Sequence, residues 1–452
     1  MTASVARRRV GRFAAAGMVA LVAALTPGPQ AVAEPDFTVI ADGLDNPRGL
    51  AFGPDGALYV AEAGLGGSAP CLEGPEGNQV CFGLTGAVTR IKGGQSRVLT
   101  GLPSLAEAGG EAATGPSDVS FLGIGFLTVG LGADPADRND LPPSGRTLGQ
   151  VLSFAPGSPR AVSLANVAGH DASGHPDGGL LNGLVNVNPQ AVQGGHSDTP
   201  RTGVDSLARA GLDTNHAIDA QLLRLGRALG HLPACTPRVP LAVPLADVAG
   251  HEASNNPDGG AIDSNPQAVQ AGLRGAAVTD AGGNSLVRMG FDRRIETLAV
   301  FPPRMVDAPP FLELPPGTQI PMESVPTGVV ARGGGYFVSE LTGFPFQVGA
   351  ARVHRVVPGQ EPEVYATGLT NAIDLDFSVD GTLYVLEIEH EGLLAEGSES
   401  SGALVKVEPG EDPAVVLDGL ESPTGLTIRD GNAYITDCGT CAGKGRVLRL
   451  PL

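Results

Sequence analysis

Short apolar runs separated by tight turns recur along this sequence, and residues 46–62, NPRGLAFGPDGALYVAE, show the pattern most clearly. Two apolar runs flank a Gly-Pro-Asp-Gly segment, and the second run ends on Glu62. Short runs of this kind, bounded by Gly and Pro, are typical of β-strands joined by a tight turn. The segment therefore predicts a β-hairpin whose second strand ends on a carboxylate.

The hairpin pattern recurs six times along the chain. First strands are predicted to begin near Pro47, Pro116, Pro266, Pro326, Ala372 and Pro423. Second strands are predicted to end at Glu62, Gly130, Asp280, Glu340, Glu387 and Asp437. A third strand follows each hairpin, at 86–91, 149–154, 284–289, 351–356, 402–407 and 445–450. A fourth strand follows in five copies, as RVLTGL, RAVSLA, IETLAV, PEVYAT and PAVVLD.

The missing fourth strand is found at the beginning of the chain, where residues 37–44, FTVIADGL, have the same pattern. If this segment pairs with the last copy, six four-stranded sheets close into a ring without exposed edges. The sequence therefore predicts an all-β fold, a six-bladed β-propeller closed by strands from both termini, with a small helical insertion.

Strand direction predicts that the two faces of this ring differ. The turns between strands 1 and 2 and between strands 3 and 4 lie on one face, here called the short-turn face. The connections between strands 2 and 3 and between successive blades lie on the other face, here called the loop-rich face, where the long connections are expected. Binding residues are often carried by loops on a rigid scaffold, so we expect the functional site on the loop-rich face.

One long connection contains a duplication. Residues 158–193, with VAGHDASGHPDGG and NPQAVQ, recur as residues 236–270, with VAGHEASNNPDGG and NPQAVQ. Leu222, Leu225 and Leu229 between the copies have helical spacing. We place the second copy in the ring and expect residues 167–247, partly duplicated and partly helical, to form an insertion on the loop-rich face.

The N-terminus predicts export. Residues 1–33 have a basic start, an apolar run and an Ala-Val-Ala sequence typical of a signal-peptide cleavage site. The mature chain is then 34–452, secreted or in the periplasmic or cell-wall space, with no transmembrane anchor. Loss of this segment removes four Arg and no acid, so the formal charge changes from −19 to about −23. Such a negative protein excludes nucleic acid as a partner and favours cations or neutral ligands.

Five cysteines accompany this predicted export. Cys71 and Cys81 share one loop, Cys438 and Cys441 share another, and Cys235 has no neighbour in sequence. Outside the cytoplasm the first four are expected to form disulfides. Pairing within each loop and cross-linking between the loops, for example from Cys71 to Cys438, both fit the sequence.

The acids that end the second strands are candidate metal ligands. They are Glu62, Asp280, Glu340, Glu387 and Asp437, at one repeated position on the loop-rich face. One interpretation is structural, with each carboxylate accepting backbone N–H groups of its own loop. The other is that some of them converge on calcium or a similar hard cation, which binds six to eight oxygens.

A second group of polar residues is expected near the central channel. Asp118 and Asp374 occupy first-strand positions that are small residues in the other blades, in blades that face each other across the ring. These two are also candidate metal ligands. Asn46, Asn265 and Asn371 immediately precede first strands, and Arg48 is the main candidate for holding an anionic group.

Other catalytic or metal motifs are weak or missing in this sequence. Six of the eight histidines lie between 170 and 251, but their spacing matches no standard zinc site. The sequence shows no serine nucleophile elbow, Walker loop or Cys/His nucleophile pairing.

Several segments together resemble the ScyD/ScyE family. They are GLDNPRGLAFGPDGALYVAEAG (43–64), EASNNPDGGAIDSNPQAV (252–269), VTDAGGNSLVRM (278–289) and SPTGLTIRDGNAYITD (422–437). The resemblance implies an exported, NHL-like propeller rather than a defined reaction. It adds a set of polar residues as candidate ligand contacts, namely Glu252, Asn255, Asn256, Asp258, Asp263, Asn265, Asp280 and Asn284. The first duplicate carries Asp171, Gly174 and His175 in place of Glu252, Asn255 and Asn256.

The sequence thus predicts an exported propeller that acts as a ligand-binding or scaffold module, with a small-molecule or extracellular ligand on its loop-rich face. The candidate ligand contacts are Asn46, Arg48, Glu252, Asn256, Asp258, Asp263, Asn265, Asn284 and Asn371. Calcium is the expected cofactor, if there is one. The alternative is an enzyme, either a calcium-dependent lactonase-like hydrolase or a quinoprotein-like sugar dehydrogenase.

Overall fold

The structure is a computed structural model that describes residues 37–74, 77–156, 242–395, 400–408 and 410–452. The predicted signal segment, the first copy of the duplication and Cys235 lie outside these residues. In the described part, six four-stranded antiparallel sheets form the blades of a propeller, which confirms the predicted fold class.

The strands follow the predicted order, apart from β1 (Thr38–Leu44), which belongs to the last blade. Blade 1 contains β2 (Pro47–Phe52), β3 (Leu58–Glu62), β5 (Gln79–Ile91) and β6 (Gln95–Ala106), with the short β4 (Cys71–Glu73) paired to β5. Blade 2 contains β7 (Pro116–Leu122), β8 (Ile124–Val129), β9 (Gln150–Phe154) and β10 (Val243–Asp247). Blade 3 contains β11 (Pro266–Gly272), β12 (Gly275–Asp280), β13 (Ser285–Met289) and β14 (Ile295–Val300).

The second half of the ring repeats this plan. A hairpin of β15 (Arg304–Asp307) and β16 (Gln319–Met322) precedes blade 4. Blade 4 contains β17 (Pro326–Arg332), β18 (Gly335–Glu340), β19 (Ala351–Val356) and β20 (Glu363–Leu369). Blade 5 contains β21 (Ala372–Phe377), β22 (Leu383–Glu387), β23 (Gly402–Val407) and β24 (Ala414–Leu420). Blade 6 contains β25 (Gly425–Arg429), β26 (Asn432–Asp437), β27 (Gly445–Pro451) and β1.

Helices in the described residues are few and short. The α-helix α1 (Val248–Asn255) connects blades 2 and 3. Turns of 3-10 helix occur at Pro135–Asp140, Pro143–Thr147 and Pro310–Leu312. None of the helices in these ranges is long and apolar enough to cross a membrane.

The ring closes as the sequence predicts. Strand β1 runs antiparallel to β27, and Thr38 pairs with Arg449 while Leu44 pairs with Gly445. The inner strands contact one another in the order β2, β7, β11, β17, β21, β25 and again β2. The inner strands of neighbouring blades therefore contact one another around a closed ring.

The hydrophobic core is divided among the contacts between blades. Six clusters of buried residues occupy the six blade-to-blade contacts, one cluster at each. The second strands pack on both faces, and all five residues of β3 and of β22 are buried. This is why their sequences, LYVAE and LYVLE, are almost continuously apolar instead of alternating.

Buried hydroxyls reinforce the contacts between blades. Thr128 donates to Gln267 O at 3.0 Å, and Thr436 donates to Arg48 O at 2.8 Å. Both residues are at the end of a second strand and reach the first strand of the next blade. The sequence contained a signal for this role that we did not use, since Thr or Ser precedes the strand-ending acid in VTD, VSE and ITD.

Blade 2 corrects one predicted strand. We expected RAVSLA (160–165) as its fourth strand, but β10 from the second copy pairs with β9, and Val243 lies opposite Ser153. Residues 157–241 are outside the described residues, so the rest of the 167–247 insertion stays a prediction. Its flanking residues leave and re-enter the ring between strands 3 and 4, which is on the short-turn face. The position of the insertion itself, predicted on the loop-rich face, lies outside the described residues and stays a prediction.

The disulfides are local. Cys71 bonds to Cys81, which lies directly opposite it on paired strands, and Cys438 bonds to Cys441 within one loop. The alternative cross-link from Cys71 to Cys438 is therefore wrong. Blades 6 and 1 are joined instead by backbone hydrogen bonds, including that from Asn46 N to Cys441 O at 3.1 Å.

Candidate functional site

The acids that end the second strands fix the entry of the chain into the same blade. Glu62 accepts from the backbone N–H of Asp45 at 2.9 Å, and Asp437 accepts from that of Glu421 at 2.8 Å. Glu387 accepts from the N–H of Thr370 at 2.8 Å. These donors lie just before the first strand rather than in the loop after the second strand, which corrects the predicted partner. The repeated acid holds the first strand against the second.

Four of these buried acids also have a basic partner. Arg97 pairs with Glu62, and Arg446 pairs with Asp437 at 2.7 Å. His390 lies beside Glu387. Glu340 is contacted by Arg304 and by Nε2 of His354. A buried carboxylate is costly unless it is paired and hydrogen-bonded, so these partners account for the four acids without a metal ion.

Asp280 in blade 3 is different, because it has no basic partner among the described residues. It accepts from the Ser264 hydroxyl at 2.8 Å and from the Asn265 N–H at 2.6 Å. Burial raises its pKa to about 6. Four further candidate residues surround it and form with it one polar group, containing Glu252, Asp258, Asp263 and Asn284.

The two channel acids bridge neighbouring blades. Asp118 accepts from Val119 N at 2.7 Å and from Val269 N of blade 3 at 2.8 Å. Asp374 accepts from Leu375 N at 2.8 Å and from Leu426 N of blade 6 at 2.7 Å. The same bridge therefore occurs on opposite sides of the ring.

Glycines on the preceding blades leave room for these channel acids. A Cβ atom on Gly49 would overlap the Asp118 carboxyl, and one on Gly328 would lie 2.5 Å from Asp374 Oδ1. Burial raises the pKa of Asp118 to about 7. Burial and then the charge of Asp118 raise the pKa of Asp374 well above its usual value. The two acids are close enough to interact, and their role as metal ligands stays a prediction.

Asn46 and Asn371 serve the backbone of the loop-rich face. Both have positive φ values, 50° and 47°, in the left-handed region where Asn is favoured over most residues. The Asn46 amide donates at 2.7 Å to both Gly64 O and Gly110 O. A ligand contact by Asn46 would have to replace these bonds.

A pocket opens on the loop-rich face at blade 2. There β8 ends at Val129, one residue before the predicted Gly130, and Val129 pairs with Pro116 as Glu62 pairs with Pro47 in blade 1, so a valine takes the place of the acid. The volume of the pocket is about 80 Å³. It is lined by Arg48, Ala63, Ala113, Thr114, Gly115, Pro116, Ser117, Gly130, Asn265 and Gln267. A Cβ atom on Gly130 would lie 2.5 Å from Asn265 Oδ1, so the glycine provides part of the space. The structure thus brings Arg48 and Asn265, two predicted contacts, to the same pocket.

Arg48 carries the only charge among the residues that line this pocket. One guanidinium nitrogen donates to Ala113 O at 2.7 Å, and no carboxylate among the described residues pairs with it. Burial lowers its pKa to about 10, so it stays protonated at neutral pH. The pocket therefore offers a partly desolvated cation in a protein with a formal charge of −19.

The pocket and the blade 3 polar group are connected through one short segment. Asp263 belongs to the polar group, Ser264 donates to Asp280, and Asn265 lines the pocket. The predicted ligand contacts thus separate into the pocket at Arg48, an oxygen-rich group and the structural asparagines.

The described residues contain one compact group of side chains with possible metal-ligand atoms. Ligand atoms of Glu421, Cys438 and Cys441 lie within 4.8 Å of one another. The two cysteines form a disulfide, so their sulfurs are not thiolates and do not form a usual metal site.

No protein-family model matches this sequence, and no curated protein matches it. The ScyD/ScyE resemblance therefore stays a prediction.

Several solved structures are similar to this chain over most of its length, at low sequence identity and with TM-scores below 0.5. A putative gluconolactonase is 9% identical with a TM-score of 0.41, over 93% of this chain and 92% of that chain. A catalytically inactive virginiamycin B lyase from Staphylococcus aureus, solved with quinupristin, is 10% identical with a TM-score of 0.37, over 92% and 98%. A putative glucose dehydrogenase from Thermus thermophilus is 15% identical with a TM-score of 0.34, over 92% and 99%. The chain is thus similar to propeller proteins whose names describe three different activities.

Proposed function

We propose that this protein is an exported ligand-binding propeller that holds the carboxylate, or a similar anionic end group, of a small or extracellular ligand in the Arg48 pocket. The observation that carries the proposal is the partly buried guanidinium of Arg48, which has no carboxylate partner in the described residues. Arginine binds carboxylates with two parallel hydrogen bonds, and these bonds are stronger where water is partly excluded.

The lining of the pocket favours binding over turnover. Besides Arg48 it contains the hydroxyls of Thr114 and Ser117 and the amides of Asn265 and Gln267. These groups donate and accept hydrogen bonds, but none of the lining residues is an acid, a histidine, a lysine or a cysteine. General acid–base catalysis needs such a group within hydrogen-bond reach of the substrate.

The size of the pocket limits what it holds. A volume of about 80 Å³ accommodates a few heavy atoms, which suits an end group better than a whole sugar. The remainder of the ligand would lie over the loop-rich face. The two disulfides are typical of proteins that act outside the cytoplasm, and they support the export part of the proposal.

A thermal-stability screen tests the proposal. Small carboxylates are compared with their uncharged amides, because a ligand raises the unfolding midpoint when its concentration exceeds Kd. We expect carboxylates to raise the midpoint and the amides to leave it unchanged. Arg48→Gln should weaken carboxylate binding roughly 10- to 100-fold, since charge-assisted hydrogen bonds are lost.

Two variants make this screen decisive. Arg48→Lys keeps the charge but loses the paired donors, so it should retain part of the affinity. Arg332→Gln, at the end of β17 on the short-turn face, should bind like the wild type. Equal responses to carboxylates and amides would contradict the proposal. So would lactone hydrolysis or quinone-dependent dye reduction that is lost in Arg48→Gln, since these would favour an enzyme.

A further inference from the structure

The oxygen-rich group in blade 3 is built by α1 and the loops that follow α1 and β12. We call it the blade 3 cluster and define it as Glu252, Asn256, Asp258, Asp263, Asp280 and Asn284. Glu252 is on α1, whose N-terminus is capped by Asp247. Asn284 is held in a left-handed conformation with φ 44° in the loop after β12. The cluster is therefore on the loop-rich face, next to the Arg48 pocket but separate from it.

Several oxygens in this cluster are buried and have no hydrogen-bond donor. Glu252 is 1% exposed and Asn284 is 4% exposed. Within the described part of the chain, Glu252 Oε1 and Asn284 Oδ1 have no hydrogen-bond partner, and neither do the buried Oδ1 atoms of Asn256 and Asp263. Leaving such acceptors unpaired is costly, so four in one cluster need a physical explanation.

Carboxylate oxygens of the cluster lie close to the backbone at Gly282 and Gly283. An added Cβ atom on Gly283 would lie 2.5 Å from Glu252 Oε2 and 3.3 Å from Asp280 Oδ2. An added Cβ atom on Gly282 would lie 2.7 Å from Asp263 Oδ1. The two glycines therefore leave room for a carboxylate pair, Glu252 and Asp280, at Gly283 and for Asp263 next to it.

Among the residues that the structure describes, no basic side chain pairs with the acids of this cluster. None of its acids forms an ion pair with a basic side chain in the described residues. Burial, then repulsion from Asp280, Asp258 and Asp263, raises the pKa of Glu252 to about 7. Each corresponding acid in blades 1, 4, 5 and 6 has an arginine or histidine next to it.

We propose that the blade 3 cluster binds one calcium-class divalent cation, which replaces the arginine or histidine that pairs with the equivalent acid in other blades. Carboxylate and amide oxygens are the ligands that such ions prefer, at 2.3–2.6 Å. No three of the acids have oxygens within 4.8 Å of each other in the described structure. We therefore expect the ion to be coordinated by two of the carboxylates, with amide oxygens and water as the remaining ligands.

The ion would also support the neighbouring pocket. Asp263 is two residues from Asn265, and Asp280 accepts the Asn265 N–H. Fixing Asp263 and Asp280 would therefore fix the position of Asn265 in the pocket wall. Binding of the cation itself does not depend on the proposed function, because Arg48 is not part of the cluster.

Calorimetric titration of calcium into chelator-treated, purified full chain tests the proposal. Extracellular calcium sites often bind with a Kd of about 0.1–1 mM, so the titration extends to about 10 mM calcium chloride. We expect one saturable site, a higher unfolding midpoint with calcium, and a weaker response to magnesium.

Three variants decide whether the response comes from the cluster. Glu252→Gln removes one charged ligand and should weaken binding roughly 10- to 100-fold. Gly283→Ala keeps every acid but adds a methyl group in the space between Glu252 and Asp280, and it should weaken binding at least as much. Glu389→Gln is the matched control, because Glu389 is 7% exposed and its oxygens accept from Ser401 and Ser422. It should bind calcium like the wild type.

The unfolding midpoint in chelator shows that each variant is folded before its titration is interpreted. Absence of heat and of a midpoint shift in the wild type would overturn the proposal. A response that survives in both Glu252→Gln and Gly283→Ala would also overturn it, because general attraction to a negative surface would then explain it. Arg48→Gln should bind calcium like the wild type, because Arg48 is not part of the cluster. The tests of the carboxylate pocket and of the cation site can therefore fail independently of each other.

Discussion

Blades 1 and 3 place the same acid at the same position and compensate its charge differently. Glu62 of blade 1 is fully buried, accepts the Asp45 N–H and pairs with Arg97. Asp280 of blade 3 is 1% exposed, accepts the Asn265 N–H and has three more acids nearby, but no basic partner in the described ranges. One repeated structural position thus became a closed ion pair in one blade and an oxygen-rich cluster in another.

The comparison shows that the repeated acid keeps its hydrogen bond to a backbone N–H in both blades. The side chain that neutralises the acid is not part of the repeat. In each of these two blades the acid holds the first strand to the second. The side chain that neutralises it comes from outside this hairpin, because Arg97 is on β6. A propeller blade is therefore free to exchange the base for another cation without losing the hairpin.

The largest expected effect is on the ion pair of blade 1. Arg97→Met leaves the buried Glu62 carboxylate without its base and should cost about 3–5 kcal/mol in the free energy of unfolding. Arg90→Met is the control, because its partner Asp55 is partly exposed, and it should cost about 0–1 kcal/mol. Urea denaturation measures both. Equal costs would show that the base at Glu62 is not needed for stability.

Asp118 extends the comparison to an acid that has neither a base nor an acidic cluster. Its pKa is raised by burial to about 7, above the value in the unfolded chain. The folded form therefore holds its proton more tightly, and wild-type stability should fall as pH rises from about 4 to 7. Asp118→Asn has no group that titrates at this position. The free energy of unfolding of the variant minus that of the wild type should therefore rise by roughly 2–3 kcal/mol between pH 4 and 7. A constant difference between pH 4 and 8 would contradict the raised pKa.

Replacing one glutamate by glutamine should change the free energy of unfolding in opposite directions in blades 1 and 3. In chelator at pH 8, Glu252→Gln relieves repulsion among the acids of blade 3 and should stabilise the protein by about 1 kcal/mol. Glu62→Gln removes the partner of Arg97 and should destabilise it by a similar or larger amount. Both free energies come from urea denaturation. Destabilisation by both substitutions would contradict the claim that the blade 3 acids repel one another without a compensating charge.

The smallest expected effect on stability is at Gly130, which directly follows the last residue of β8 in blade 2. Gly130→Ala places a methyl group 2.5 Å from Asn265 Oδ1, at the wall of the Arg48 pocket. Stability should change by less than about 1 kcal/mol, while carboxylate affinity falls several-fold. Gly272→Ala is the control, since its nearest neighbour is at an ordinary 3.6 Å. Unchanged carboxylate binding in Gly130→Ala would place the ligand elsewhere.

The ring was predictable because its signals are local and repeated. Hairpins such as NPRGLAFGPDGALYVAE carry their own turn, and the β1 pattern at residues 37–44 had no other partner. The fourth strand of blade 2 was not predictable, because the two duplicated segments have similar alternating patterns. Only the pairing of Val243 with Ser153 distinguishes them. The local disulfides were likewise left open, since spacing alone does not choose between pairings.

The candidate site was predictable as a set of residues but not as an arrangement. Arg48, Asn265, Glu252 and Asp280 were all recognised, yet the sequence did not show that Arg48 lacks an acid. It also did not show that Arg97, distant in sequence, neutralises Glu62. Charge partners lie on other strands and loops, and their identity depends on side-chain geometry that a one-dimensional pattern does not contain.

Hydrogen exchange with and without calcium tests most directly whether blade 3 uses a cation where blade 1 uses arginine. Backbone amides of residues 263–265 and 280–284 should exchange more slowly with calcium, because the ion would hold both loops. Amides of residues 45, 46 and 62–64 in blade 1 should be unaffected, since Arg97 already balances Glu62. Equal protection in both blades, or none in either, would contradict this account.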